Sequence, residues 1–142
     1  RIACLLHDIG KIQVPAEILS KGRSLTAMEL NLVREHARSG YEILRGIHFP
    51  FPVADTILQH HERMDGSGYP GGLRGEQIQL GARILAVADV VEAMVSHRPY
   101  RAALTMEDAL QEIVRNRGRL YDGAVTAACL KLIQERGFSF EQ

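Results

Sequence analysis

Apolar residues along this chain recur at intervals of three and four, the period of one face of an α-helix, and nowhere alternate cleanly over more than a few positions. The pattern predicts an all-α domain. Its first residues, RIACLLHDI, form a short apolar stretch that Gly10 ends and Pro15 turns. SKGRS at 20–24 reads as a connector. Thr26 and Glu29 then make a capping box that opens a helix in which Met28, Leu32, Val33 and His36 share one face. Gly40 interrupts this helix or joins it to a second one ending near Leu44, and Pro50 and Pro52 exclude regular helix across 46–52. A further helix is expected from Val53 to about Glu62, with Ala54, Ile57, Leu58 and His61 on its apolar side.

The middle of the chain changes character. MDGSGYPGGLRG at 64–75 has no usable period, and a glycine-rich stretch of this length must be tied down by contacts made elsewhere. From Gly81 to about Ser96 the chain is apolar on most of a helical circumference, as befits a central helix. Thr105 and Asp108 cap another helix running to Asn116, where Gly118 breaks it. Asp122 caps a last one, with Val125, Cys129, Leu130 and Ile133 turned inward. Gly137 ends it, and Phe138 and Phe140 fold back. Five to seven helices in one domain, residues 1–142, are therefore expected.

Composition narrows the class. The chain has 142 residues, 46% hydrophobic and 24% charged, a globular balance that excludes a disordered or fibrous protein. Lysine plus arginine number 17 and aspartate plus glutamate 17, so the formal charge is zero, which argues against a polymeric nucleic acid or an anionic membrane as partner. Cys4 and Cys129 form no CxxC pair and read as buried thiols in a reducing compartment, hence a cytoplasmic domain. The longest apolar run, Ile84–Val95, contains Asp89 and Glu92 and is too short to cross a bilayer. RIACLLHDIG reads as the end of a helix already under way, so the domain is expected to be incomplete at its N-terminus.

Candidate chemistry lies in the histidines. His7 stands beside Asp8, His36 sits alone on an apolar face, His60 and His61 are adjacent, and Asp89 lies in the central helix. Imidazole and carboxylate together suit a divalent transition metal, and a carboxylate can bridge two ions. Neighbouring helical residues point about 100° apart, so a pair such as His60–His61 serves two ions or sits where a helix ends. Each residue also has a plainer reading. His36 fits a hydrogen-bonded core histidine, Asp89 a salt bridge to arginine, and His60–His61 an exposed polar helix end, while His48 and His97 are surface residues. Spacing alone supports a helical domain with a histidine–carboxylate metal centre and names no reaction.

The motifs HDIGK at 7–11 and HHERMDGSGYPGGLRG at 60–75, followed by RILAVADVVEAMVSHRPYR at 83–101, closely resemble the HD-GYP subgroup of the HD phosphohydrolase superfamily. The resemblance covers nearly the whole chain. It implies a helical HD-domain bundle that hydrolyses the bacterial second messenger cyclic di-GMP to pGpG, and in some members on to GMP. It implies metal ligands at His7, Asp8, His36, His60, His61 and Asp89: Asp8 bridging two divalent ions, His36, His60 and His61 completing one site, and His7 and Asp89 serving the other. Iron or manganese is favoured over a structural zinc. By the same resemblance Lys11 approaches the scissile phosphate or the bridging solvent, Arg98 and Arg101 meet the phosphates, and Asp65, Gly66, Gly68, Tyr69 and Pro70 form a signature loop beside the substrate. The family supplies a further histidine from an upstream helix that this sequence does not contain, so the His7–Asp89 ion is expected to be weak or absent. An upstream receiver or sensory domain is the implied partner in cis. Two other readings remain beside this one: a nucleotide-binding or protein-interaction module without turnover, and a phosphohydrolase of another nucleotide.

Overall fold

The computed structural model describes residues 1–97 and 102–136, with the side chain of Arg136 left aside. Among the described residues the fold is all-α, as expected, with no strand and only two isolated bridges, Asp65 to Arg74 and Arg117 to Tyr121. The helices are α1 (Ile2–Leu6), α2 (Ala16–Leu19), α3 (Ala27–Arg34), α4 (His36–Leu44), α5 (Val53–Gln59), α6 (Leu80–Val95), α7 (Met106–Arg115) and α8 (Gly123–Arg136). Two 3₁₀ turns, Ile9–Gln13 and Gly75–Gln77, complete the set. Among the described residues the six helices longer than one turn and a half, α3 to α8, fall within the expected five to seven. No described helix is long and apolar enough to cross a membrane.

Local chemistry fixes several boundaries where the sequence placed them. The Thr26 hydroxyl accepts from the Glu29 amide while the Glu29 carboxylate accepts from the Thr26 amide, and Thr105 with Asp108 repeats this box at α7. The Asp122 carboxylate accepts from the Ala124 and Val125 amides and so starts α8, while its second oxygen pairs with Arg83 of α6 at 3.0 Å.

Other boundaries move. The break expected at Gly40 falls at Glu35, and Gly40 lies inside α4 because the 3₁₀ turn crosses there. A Cβ on Gly10 would stand 2.0 Å from the His36 carbonyl oxygen and 2.5 Å from the Gly40 nitrogen. Glycine here permits close approach of two backbones. The shared face proposed for α3 is also corrected: Met28 is 83% exposed and Leu32 42%, because α3 lies at the edge of the domain and only His36, beyond its end, reaches the interior. Cys4 is exposed and Cys129 half-buried. Phe138 and Phe140 lie outside the described residues.

Burial is organised in two clusters. Leu44, Val53, Ala54 and Ile57 form one, with Ala3, Leu6 and Ile9 packed on it, and so join α1, α4 and α5. Val87, Val91, Ala109, Ile113 and Tyr121 form the other, joining α6 and α7 to the α7–α8 connection. α6 packs against both α5 and α7. The polar residues singled out by the motifs come from elements that contribute to both clusters.

Candidate metal centre

Three of the histidines are placed by one local device. The last carbonyls of a helix have no partner within it. His7 follows α1 and donates from Nδ1 to the Cys4 carbonyl at 2.6 Å. His36 follows the last turn of α3 and donates to the Val33 carbonyl at 2.6 Å. His60 follows α5 and donates to the Ile57 carbonyl at 2.5 Å. A carbonyl only accepts, so Nδ1 carries a hydrogen in each ring, and in the buried His36 and His60 the Nε2 is left to present its lone pair away from its own helix.

Those lone pairs converge. The Nε2 atoms of His36 and His60 approach to 3.5 Å, and His36, His60 and His61 each offer a ring nitrogen within 4.8 Å of the others. Two neutral acceptors facing one another repel unless a cation or a proton stands near both. Burial favours the cation, because it makes protonation of these rings costly. His36 is 2% exposed and His60 is fully buried. Burial lowers the pKa of His36, takes His60 down to about 4, and lowers His61 further with help from the charge of His60. At neutral pH these three rings are unprotonated nitrogen donors, the form that a metal takes.

The carboxylates sit where two ions could share them. Asp8 directs Oδ1 to His36 Nε2 at 3.6 Å and Oδ2 to His7 Nε2 at 3.5 Å. Asp89, on the buried side of α6, places Oδ1 3.5 Å from His7 Nε2. Its partner is a histidine, so the alternative of an arginine salt bridge fails. Burial works to raise the Asp89 carboxyl, but the His7 contact and the charge of His61 and His60 outweigh it and hold the group well below the usual carboxylate range. His7 moves the other way. Its bond to Asp89 outweighs burial and raises its pKa. The donor set, imidazole nitrogens with two carboxylates, fits one or more divalent cations. The six residues that the resemblance names as ligands, His7, Asp8, His36, His60, His61 and Asp89, are thus brought near one another from the end of α1, the 3₁₀ turn's entry, α4, the end of α5 and α6.

The signature loop forms one wall. Tyr69 stacks on His61 with ring centroids 4.8 Å apart and planes 24° from parallel, and burial pushes its phenol up to about 12. Its amide donates to the His61 carbonyl at 3.3 Å, and a Cβ on Gly68 would stand 2.4 Å from the Glu62 Cα. Pro70 follows a cis peptide bond. Gly66 has φ 80°, a left-handed conformation natural to glycine. Asp65 faces into the loop: it accepts from the amide and hydroxyl of Ser67 and pairs with Arg119 at 3.8 Å. Lys11 pairs with Asp8 Oδ2 at 2.5 Å on the more open side of the centre. Arg98 and Arg101 lie outside the described residues.

Two residues near the centre escaped sequence reasoning. Glu62 is only 2% exposed, and its carboxylate accepts from the Gly71 amide at 2.6 Å and the Leu73 amide at 2.9 Å, lashing the far limb of the loop to the histidine pair. Arg34, the last residue of α3, holds its guanidinium carbon 5.1 Å from the Tyr69 ring centroid. Glu62 stands beside a motif but carries no signal that its carboxylate turns inward, and Arg34 reads as one more charge on a solvated helix.

Comparison with known proteins agrees with this geometry. The family model of the HD domain matches residues 1–125. The cyclic di-GMP phosphodiesterase response regulator RpfG of Xanthomonas campestris pv. campestris is 48% identical over 132 residues, 92% of this chain and 35% of that protein. A 3'3'-cGAMP-specific phosphodiesterase 3 of Vibrio cholerae is 40% identical over 134 residues, 94% of this chain and 29% of that protein. The chain therefore spans about a third of the length of these curated relatives. Among solved structures, Bd1817, a HDG"Y"P protein from Bdellovibrio bacteriovorus, superposes with a TM-score of 0.73 at 20% identity, covering 94% of this chain and 42% of that one, a likeness of fold.

Proposed function

Since the chain belongs to the HD domain family, in its HD-GYP branch, we propose that it is a metal-dependent phosphodiesterase of cyclic dinucleotides, with cyclic di-GMP as substrate and pGpG, then GMP, as products. The observation that carries this reading is the convergence of the unprotonated His36, His60 and His61 nitrogens beside Asp8, a carboxylate shared with His7, next to a loop that presents Tyr69. His36, His60 and His61 would hold one divalent ion with Asp8, and His7 and Asp89 a second with the same Asp8. Manganese and iron suit this mixed shell. Divalent ions bound there would supply an acidified water and positive charge against the phosphate.

The chain's own groups do the rest. Burial keeps the imidazoles in their donor form, and the Nδ1 bonds hold their orientation. Asp8 divides its oxygens between the two histidine sets. Lys11 holds its amine beside Asp8, where it would face a phosphate oxygen or give a proton to the leaving alkoxide as the phosphorus–oxygen bond breaks. Tyr69 and the backbone of Gly66, Gly68 and Pro70 wall the substrate, with Asp65 holding the loop's shape. By the resemblance, Arg98 and Arg101, outside the described residues, would meet the phosphates with their guanidinium forks.

A second substrate, 3'3'-cGAMP, is supported by the 40% identity to the Vibrio cholerae enzyme named for it. In the full-length protein an upstream receiver or sensory domain would govern access. The test combines metal analysis with turnover of both dinucleotides by the manganese-loaded chain. We expect the ion at His36, His60 and His61 to be retained, that at His7 and Asp89 to be lost more readily, and His61→Ala to abolish both retention and turnover. A metal-loaded chain that hydrolyses neither dinucleotide would overturn the reading.

A further inference from the structure

We propose that Arg34 is a substrate-binding residue of this centre, holding a phosphate oxygen of the dinucleotide from a position fixed by Tyr69; this rests on the reading above. Three of the other described arginines around the loop are engaged, and a fourth, Arg74, packs its side chain along Gly66 within the loop. Arg63 donates to the Glu62 carbonyl at 3.0 Å and lies over Tyr121 at 5.5 Å. Arg119 pairs with Asp65 at 3.8 Å and donates to the Asn116 side chain at 2.5 Å. Arg83 donates to the Ile78 carbonyl at 2.7 Å and pairs with Asp122. Lys11 is committed to Asp8. Arg34 differs: its guanidinium has no carboxylate or carbonyl partner among the described residues, and its one specific contact is the Tyr69 ring at 5.1 Å.

That contact gives the cation an address. Tyr69 itself stacks on His61, one of the three converging histidines, so the Arg34 guanidinium is one aromatic ring removed from the metal ligands. A cation over an aromatic face keeps its in-plane N–H groups available, because the attraction to the ring engages the flat face of the guanidinium or its positive charge. Five donors in a planar fork beside an acidic, metal-binding pocket suit a singly charged phosphodiester oxygen. α3 carries no buried residue, so replacing its last exposed side chain leaves the helix packing undisturbed.

The experiment compares the manganese-loaded chain with its Arg34→Ala and Arg34→Lys variants. For cyclic di-GMP hydrolysis, Arg34→Ala should raise KM about tenfold, equivalent to about 1.4 kcal/mol, with kcat within about twofold and metal content unchanged. Arg34→Lys, which keeps the charge and loses the fork, should recover part of the loss. In parallel, ¹⁵N side-chain spectra of the unaltered chain should show the Arg34 Nε–H resonance moving on titration with dimethyl phosphate. Unchanged KM in Arg34→Ala, or a still Arg34 resonance, overturns the proposal. A chain that turns over no cyclic dinucleotide while its Arg34 resonance responds to dimethyl phosphate overturns the substrate reading and leaves the phosphate-binding role of Arg34 standing.

Discussion

Replacing Glu62 by alanine should loosen the far limb of the signature loop while the histidines keep their places. The carboxylate is the acceptor for two amides, Gly71 at 2.6 Å and Leu73 at 2.9 Å, and it is almost wholly buried. Hydrogen bonds to an ionised acceptor contribute about 1.5–3 kcal/mol each. Gly71 is exposed, so water can take over its amide once the loop opens, which places the pair near the lower end, about 3 kcal/mol together. Opening of residues 70–74 should then become about 100-fold more frequent in Glu62→Ala. Glu62→Gln keeps one acceptor oxygen and turns an NH₂ toward the other amide, so it should be at least half as damaging. Native-state hydrogen exchange, resolved by NMR at the Gly71 and Leu73 amides, measures this directly. Exchange at those two amides as slow in Glu62→Ala as in the unaltered chain would refute the reasoning, because no other acceptor among the described residues serves them.

Gly10→Ala should destabilise the fold by about 3 kcal/mol or more, since its Cβ would stand 2.0 Å from the His36 carbonyl oxygen, whereas Gly22→Ala, with nothing within 4 Å, should change stability by less than about 0.5 kcal/mol; urea denaturation of the two variants checks the contrast. Asp122→Asn should cost about 1–2 kcal/mol at pH 7 by weakening the α8 cap and the Arg83 pair. The bonds from Val125, Arg83 and Ala124 lower the folded-state pKa of Asp122 against its partial burial. Its contribution is therefore complete above the unfolded value near 3.9 and disappears as pH falls through the folded value, so the advantage over Asp122→Asn should shrink below about pH 4. A difference that stays constant from pH 7 to pH 3 would show that the charge plays no part.

Features set by residues close in sequence were the legible ones. The Thr26–Glu29 and Thr105–Asp108 boxes need only a helix start and two side chains three apart, and both form as read. That His7, Asp8, His36, His60, His61 and Asp89 lie near one another was expected through the resemblance, while spacing alone left His36 and Asp89 ambiguous because burial and partner are tertiary properties. Gly40 was misread for a physical reason. Glycine weakens a helix, but here a second backbone crosses it, and the absence of a side chain is used for packing. Met28 and Leu32 looked inward because periodicity marks a face without saying what covers it. Glu62 and Arg34 act through residues that fold back from a distance in the chain, and no local pattern announces that.

The bonds from His7, His36 and His60 to carbonyls three residues earlier have a consequence for how a cation would be captured. Each closes within a single helix end, so it can form before the helices dock and whether or not an ion is present. Fixing a free side chain of this size removes about 1 kcal/mol of rotamer entropy. In these three residues that entropy is already gone when the ion arrives. The rings behave as arrested rotors, His36 and His60 in the set proposed for one ion and His7 in the set proposed for the other, and capture of a cation would become a matter of aligning helix ends whose rings are already set.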